Sequence, residues 1–156
     1  MNNTILALDL ATKTGWACNQ PYETGKTTII SGVQVFDVKR GESPGMRFLR
    51  CRGWLNEIND LVMPDVIAYE QAHHRGGAAT ACGVGLVTVV LEFAAQHKIE
   101  ITSVHSATLK KWATGSGRAS KDQMIEAVIR KGHQPQDDNE ADALLLLYYT
   151  IENLGV

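Results

Sequence analysis

The chain has 156 residues, a net charge of −2 with histidine neutral, and three cysteines. That length suits one domain, spanning 1–156, able to bury about two thirds of its unfolded surface without staples; Cys18, Cys51 and Cys82 show no CxxC or Cys/His ligand spacing, which excludes a disulfide framework and a structural zinc site and points to a reducing compartment. No basic segment precedes the first apolar run, and the longest uncharged run, Gly76 to Leu91, is 16 residues broken by glycines, short of the roughly 18–20 apolar residues of a membrane span, so a soluble cytoplasmic protein without a membrane partner is expected.

Ile5-Leu6-Ala7-Leu8 has no polar alternation, the pattern of a strand buried on both faces of a helix-covered sheet, and it ends on Asp9. Open α/β sheets bind ligands at the carboxyl ends of their strands, which makes Asp9 a candidate site residue. The alternative is that Asp9 only opens a hairpin with Thr12 and Gly15. Gly15 to Asn19 and Thr28 to Phe36 are β-rich runs separated by Pro21 and Gly25, two further strands of an antiparallel meander. After a break at Gly41 to Gly45, Phe48, Cys51, Leu55, Ile58 and Val62 recur at three- and four-residue spacing, an amphipathic helix that Pro64 ends, with Arg47 and Arg50 on another face. Asp65 to Glu70 is a short apolar strand that again ends in a carboxylate.

Gln71 to Gly77 is a polar loop carrying His73, His74 and Arg75, and the long apolar stretch from Ala78 to Ala95 reads as a helix. Being apolar nearly all round, it has to be covered on both sides. The sheet takes one side, and the other falls either to a second subunit, with Gly83 and Gly85 permitting close approach there, or to the core alone. Ile99 to Val104 is the fifth strand, followed by a short helix, Ser106 to Ala113, that presents Lys110 and Lys111. Gly115 and Gly117 would let the next loop approach another backbone closely. Ser120 with Gln123 forms a capping box for a helix from Lys121 to Lys131, whose first amides could hold a phosphate; a plain connector is the alternative.

The last helix begins near Asp137 or Asp138 and runs to about Asn153, with Asp137 and Glu140 at the N-cap and N3 positions. Asp142 lies beyond that first turn, beside the apolar run Ala143 to Leu147 and on the helix face of Asp138 and Asn139. An acid there costs energy unless it is paired or binds a cation. Charge is also segregated along the chain. No acid lies between Ile101 and Lys121, a segment holding Lys110, Lys111, Arg118 and Lys121, whereas Asp137, Asp138, Glu140 and Asp142 crowd together beyond it; two solvated faces of opposite sign would give the same pattern. Asp9, Glu70 and Asp142 each end or border a buried apolar segment, an arrangement that suits a hard divalent cation such as Mg2+ held against a phosphodiester.

The order β-β-β-α-β-α-β-α, with acids on the first strand, the fourth strand and the last helix, resembles the ribonuclease H fold. This is an α/β architecture: a five-stranded mixed sheet, made of a three-stranded antiparallel meander plus two parallel strands, flanked by helices. Leu8-Asp9-Leu10-Ala11-Thr12-Lys13-Thr14-Gly15-Trp16-Ala17, Tyr69-Glu70-Gln71, Leu109-Lys110-Lys111 with Gly115 to Gln123, and Asp138 to Leu144 resemble the RuvC-type Holliday-junction resolvases over nearly the whole chain. The resemblance implies a crossover junction endodeoxyribonuclease of DNA recombination and repair, acting as a homodimer that nicks two strands of a four-way junction symmetrically and leaves 5'-phosphate and 3'-hydroxyl ends. It implies two Mg2+ ions per site, with Mn2+ as a substitute, and Asp9, Glu70 and Asp142 as ligands. Lys110 and Lys121 fall where basic residues meet the scissile region, with Lys111, Arg118, His73, His74 and Arg75 as further DNA contacts.

Two positions depart from the family pattern. The acid or histidine that precedes the final aspartate by three residues is Asn139 here, so either Asp138 or Asn139 would complete the metal set, and the loop after Glu70 carries His73, His74 and Arg75 in place of aromatics. Three other readings fit part of this pattern. An actin-like ATPase or sugar kinase has a similar first motif but needs two such domains; a RuvC-like nuclease of ribosomal RNA precursors shares the constellation; and a catalytically impaired branched-DNA binder would suit Asn139.

Overall fold

The computed structural model describes residues 3–21, 25–71 and 76–154. Strands β1 (Ile5–Asp9), β2 (Lys13–Pro21) and β3 (Thr27–Val35) come first, then helix α1 (Gly45–Val62), β4 (Val66–Glu70), α2 (Gly77–His97), β5 (Glu100–Val104), α3 (Ser106–Thr114), α4 (Lys121–Arg130) and α5 (Asp138–Asn153). The sheet runs β3-β2-β1-β4-β5, antiparallel through the meander and parallel from β1 to β4 to β5. This is the mixed sheet and element order expected of a ribonuclease H-like fold.

Strand pleating distributes two cores from one strand. Ile5 and Ala7 point into a cluster with Leu144 to Leu147 of α5, Leu109 of α3 and Val128 of α4, while Leu6 and Leu8 point into a second with Leu55 of α1 and Leu86, Val90 and Phe93 of α2. The central strands are small on the first face, with Ala7, Ala17 and Ala68 against α5, and large on the second, with Leu6, Leu8 and Ile67 against α1 and α2. Small residues draw α5 close to the sheet. At Gly15 the approach is so close that a Cβ would overlap the Asn139 carbonyl group and lie 2.7 Å from the Glu140 amide nitrogen.

Several local readings are refined by this packing. The turn after β1 is satisfied by Thr14, whose hydroxyl donates to the Ala11 carbonyl at 2.7 Å, and Met63 in a left-handed conformation, followed by Pro64, stops α1. Arg47 and Arg50 donate to the carbonyls of Phe36 and Asp37, at 3.0 and 2.7 Å, and so tie the loop before α1 to that helix. Gly85 serves the contact between α2 and α1: a Cβ there would run into the Phe48 ring, so its close approach is to α1 and not to a second subunit. Gly115, at φ 88°, is the left-handed stop of α3, with open space where a Cβ would be, so its backbone angle, not a tight contact, requires glycine.

The helix α2 is also longer than the uncharged run within it. Its 21 residues enclose one acid, Glu92, and an 18-residue window within them has a mean hydropathy of 1.8, so by length and composition alone it is apolar enough to cross a membrane. Here Leu86, Val89, Val90, Phe93 and Ala94 are buried against the sheet and α1, and Val84 and Leu91 are left 46% and 40% exposed on the outer side.

Candidate active site

Asp9 and Glu70 end two parallel, adjacent strands whose register pairs Leu8 with Tyr69, so their carboxylates start one strand spacing apart. Alternation puts Asp9 on the same face as Ile5 and Ala7, and Glu70 on the face of Val66 and Ala68. Both faces look at α5. From that helix Asp142, one turn in from the N-terminus, meets them, and carboxylate oxygens of Asp9, Glu70 and Asp142 lie within 4.8 Å of one another.

Crowding three acids in a half-buried place is costly, and the cost shows in the proton affinities of Asp9 and Asp142. Burial, then the neighbouring Glu70 and Asp142, and more weakly Asp138 and Asp137, hold the Asp9 carboxyl well above the usual range. Burial, Glu70 and Asp138 push Asp142 up to about 7 against the opposing pull of Lys110 and Lys121. A site that strains to stay ionised is one that a cation relieves. The donor set is all hard oxygen, which fits a divalent ion such as Mg2+ and not a soft metal.

A cavity of about 250 Å³ opens over these acids. It gathers Asp9, Glu70 and Asp142 with Asp138, Asn139, Lys110 and Lys121, drawn from two strands and three helices. Lys121 Nζ lies 3.4 Å from Asp138 Oδ2, and the Asn139 amide donates to Asp137 Oδ2 at 3.4 Å. Asp138 therefore faces a lysine at the rim, and among the described residues it is outside the group of acids within 4.8 Å. Lys111 and Arg118 are both exposed and do not line the cavity. His73, His74 and Arg75 lie outside the described residues.

Three lining residues escaped sequence reasoning: Ser106, Ala119 and Met124. Ser106 is 2% exposed at the first position of α3, directly after the β5 end, and that placement was the available signal. Glu140, by its spacing from Asp137, looks like one half of a capping box. Its amide does donate to Asp137 Oδ1 at 2.9 Å, but its carboxylate accepts from the Gln136 amide at 2.9 Å and from the Ser31 hydroxyl of β3 at 3.1 Å. The α4 capping box is complete, with Gln123 N donating to Ser120 Oγ and Ser120 N to Gln123 Oε1, and it sets Lys121 at the first position of α4, on the rim.

Residues 6–148 match the family model of the crossover junction endodeoxyribonuclease RuvC. Among similar proteins, the RuvC of Corynebacterium glutamicum is 34% identical over 104 residues, covering 64% of this chain and 47% of that protein, and the RuvC of Dictyoglomus thermophilum is 32% identical over 96 residues, covering 59% and 61%. The matched stretch of this chain thus spans about half to two thirds of those relatives' length. Among solved structures, Thermus thermophilus RuvC in complex with Holliday junction substrate superposes with a TM-score of 0.78 over 97% of both chains at 18% identity, and Fowlpox virus resolvase with its junction DNA with 0.67 over 97% of this chain and 98% of that one at 14%. These likenesses establish that the chain shares the fold of those solved proteins, and with the family match across residues 6–148, the chain belongs to the RuvC family of crossover junction endodeoxyribonucleases.

Proposed function

We propose that this chain, a single nuclease domain over residues 1–156, is a structure-selective DNA endonuclease that resolves Holliday junctions, and other branched DNA, by metal-dependent hydrolysis in the cytoplasm. The observation that carries the reading is the convergence of Asp9, Glu70 and Asp142 within 4.8 Å beneath a rim bearing Lys110 and Lys121. Similar chains named as crossover junction endodeoxyribonucleases, and solved neighbours holding junction DNA, support it. Asp9, Glu70 and Asp142 would hold Mg2+, or Mn2+ in its place, as two ions with Asp138 or Asn139 completing the set. A bound divalent ion there supplies charge stabilisation at the phosphodiester and a more acidic water. Lys110 and Lys121 position the backbone by meeting phosphates, and Lys121 can turn to do so because its exposed pairing with Asp138 is weak. Lys111 and Arg118, with His73, His74 and Arg75, extend the contact surface.

Paired, symmetric nicks with 5'-phosphate and 3'-hydroxyl ends require two such sites, and the outer side of α2 fits a homodimer contact. Val84 and Leu91 are exposed there, and with Val87, Thr88 and Tyr69 they line an apolar groove of about 440 Å³. A second reading, a branched-DNA binder with impaired cleavage, is favoured by one observation: Asn139 brings no charge and its amide is engaged by Asp137. Labelled four-way, Y-shaped and linear DNA and an RNA hairpin, each incubated with the protein in Mg2+ or EDTA, decide between them. Mg2+-dependent paired nicks in the four-way junction support resolution. Binding without cleavage favours the second reading, and cutting confined to RNA rejects both.

A further inference from the structure

Glu140 is 4% exposed, yet it lines neither the acidic cavity nor the protein surface. One carboxylate oxygen accepts from Ser31 Oγ on β3 at 3.1 Å, a partner 109 residues away, and the other accepts from the Gln136 amide at 2.9 Å, on the approach to α5. Its own amide donates to the capping carboxylate of Asp137. One residue thus ties the edge of the sheet, the loop before α5 and the first turn of that helix. On the same turn, the backbone at Asn139 and Glu140 rests on Gly15 with no space for a Cβ, and Gly15 is the ladder partner of Asp9.

We propose that Glu140, seated on Ser31 of β3 and backed by Gly15, is a positioning residue that sets the roll of α5 and thereby the place of the Asp142 carboxylate relative to Asp9 and Glu70. Glu140 and Asp142 are two residues apart, about 200° around the helix, so an anchor at one fixes the direction of the other. A roll of roughly 15° displaces a carboxylate about 5 Å from the axis by more than 1 Å, beyond the tolerance of about 0.5 Å for a preorganised site. Gly15 fixes the distance of the turn from the sheet, and the Glu140–Ser31 bond fixes its rotation. Asp137 at the N-cap holds the turn's end but cannot set its roll, because its bond stays within the helix itself.

This inference rests on the metal-site reading of the acidic triad, and a DNA-free titration of Mn2+ followed by calorimetry separates the two. Wild type, Glu140→Ala, Glu140→Gln and Ser31→Ala are compared well below their melting temperatures. Outer partners of metal ligands typically govern about 10- to 100-fold in affinity, so Glu140→Ala is expected to weaken Mn2+ binding about tenfold or more and Ser31→Ala in the same direction. Glu140→Gln keeps an oxygen for the Gln136 amide and gains a donor for Ser31 Oγ, so it should stay within about twofold of wild type. Wild-type affinity in Glu140→Ala or Ser31→Ala, or an equal loss in Glu140→Gln, overturns the proposal. If Glu140→Ala does not fold, Ser31→Ala, which leaves the helix itself intact, decides alone. A wild type that binds no Mn2+ refutes the metal reading, and this proposal with it.

Discussion

Asp9 and Glu70 end their strands because the chain has nowhere apolar left to bury them, and both are directed at α5 by the pleat. Replacing either by its amide removes a charge from the triad while leaving the basic rim intact. Asp9→Asn and Glu70→Gln are therefore expected to abolish cleavage and keep junction affinity, because affinity for DNA comes mainly from phosphate contacts. Loss of binding together with cutting would contradict this. Asp142 gives a second outcome, readable without substrate. Its carboxyl is pushed up to about 7 in the fold, above its unfolded value, so between about pH 4 and 7 the native state holds more protons than the unfolded chain and metal-free stability falls as pH rises. A pKa raised by one is worth about 1.4 kcal/mol, and in a domain of this size each kcal/mol moves Tm by roughly 2–4 °C, so even a third of the rise at Asp142 is measurable. Melting curves in EDTA should drop by several degrees from pH 5 to pH 8. Mg2+ should restore the loss, and Asp142→Asn should flatten it.

Helices α3 and α4 bring the two rim lysines to the acids, and they do so by different devices. Lys110 faces the cavity from one turn into α3, and Lys121 is held at the start of α4 by the reciprocal bonds of Ser120 and Gln123. Lys110→Ala and Lys121→Ala should each weaken DNA binding at all sequences and reduce the salt slope by about one, the signature of one phosphate contact. Slopes equal to wild type would remove both residues from the interface. These segments are legible in the sequence, since apolar runs, Pro64, the Ser120/Gln123 pair and the two strand-terminal acids are local patterns. What stayed hidden depends on partners distant in the chain. Nothing beside Gly15 announces Asn139, nothing beside Gly85 announces Phe48, and Glu140 resembles a cap because its bond to Ser31 crosses 109 positions. The extent of α2 is legible as well: the stretch from Ala78 to Ala95 reads as one helix through Glu92, and the fold adds only Gly77 at its start and Gln96 and His97 at its end.

Two copies of the molecule are needed for paired nicks, and the outer side of α2 is where a second copy is proposed to sit. A charge at Leu91, as in Leu91→Asp, should give monomers by light scattering that nick one strand without the symmetric partner cut; a wild-type monomer would end the idea. The same helix has a bearing on how the chain is made. A helical segment with an 18-residue window of mean hydropathy 1.8 emerging from a ribosome presents what membrane-targeting machinery recognises. Synthesis proceeds from the N-terminus, so α1 and β1 to β4 are already out when α2 appears, and the surface that buries Leu86, Val90 and Phe93 is waiting for it. Chain order is therefore expected to guard against misdelivery. A circular permutant beginning at Gly76 reverses that order without altering the folded contacts, and in cell-free translation with membrane vesicles it should send a larger share of newly made chains to the vesicle or aggregate fraction than the natural order does, with equal partitioning as the result that would dismiss the safeguard.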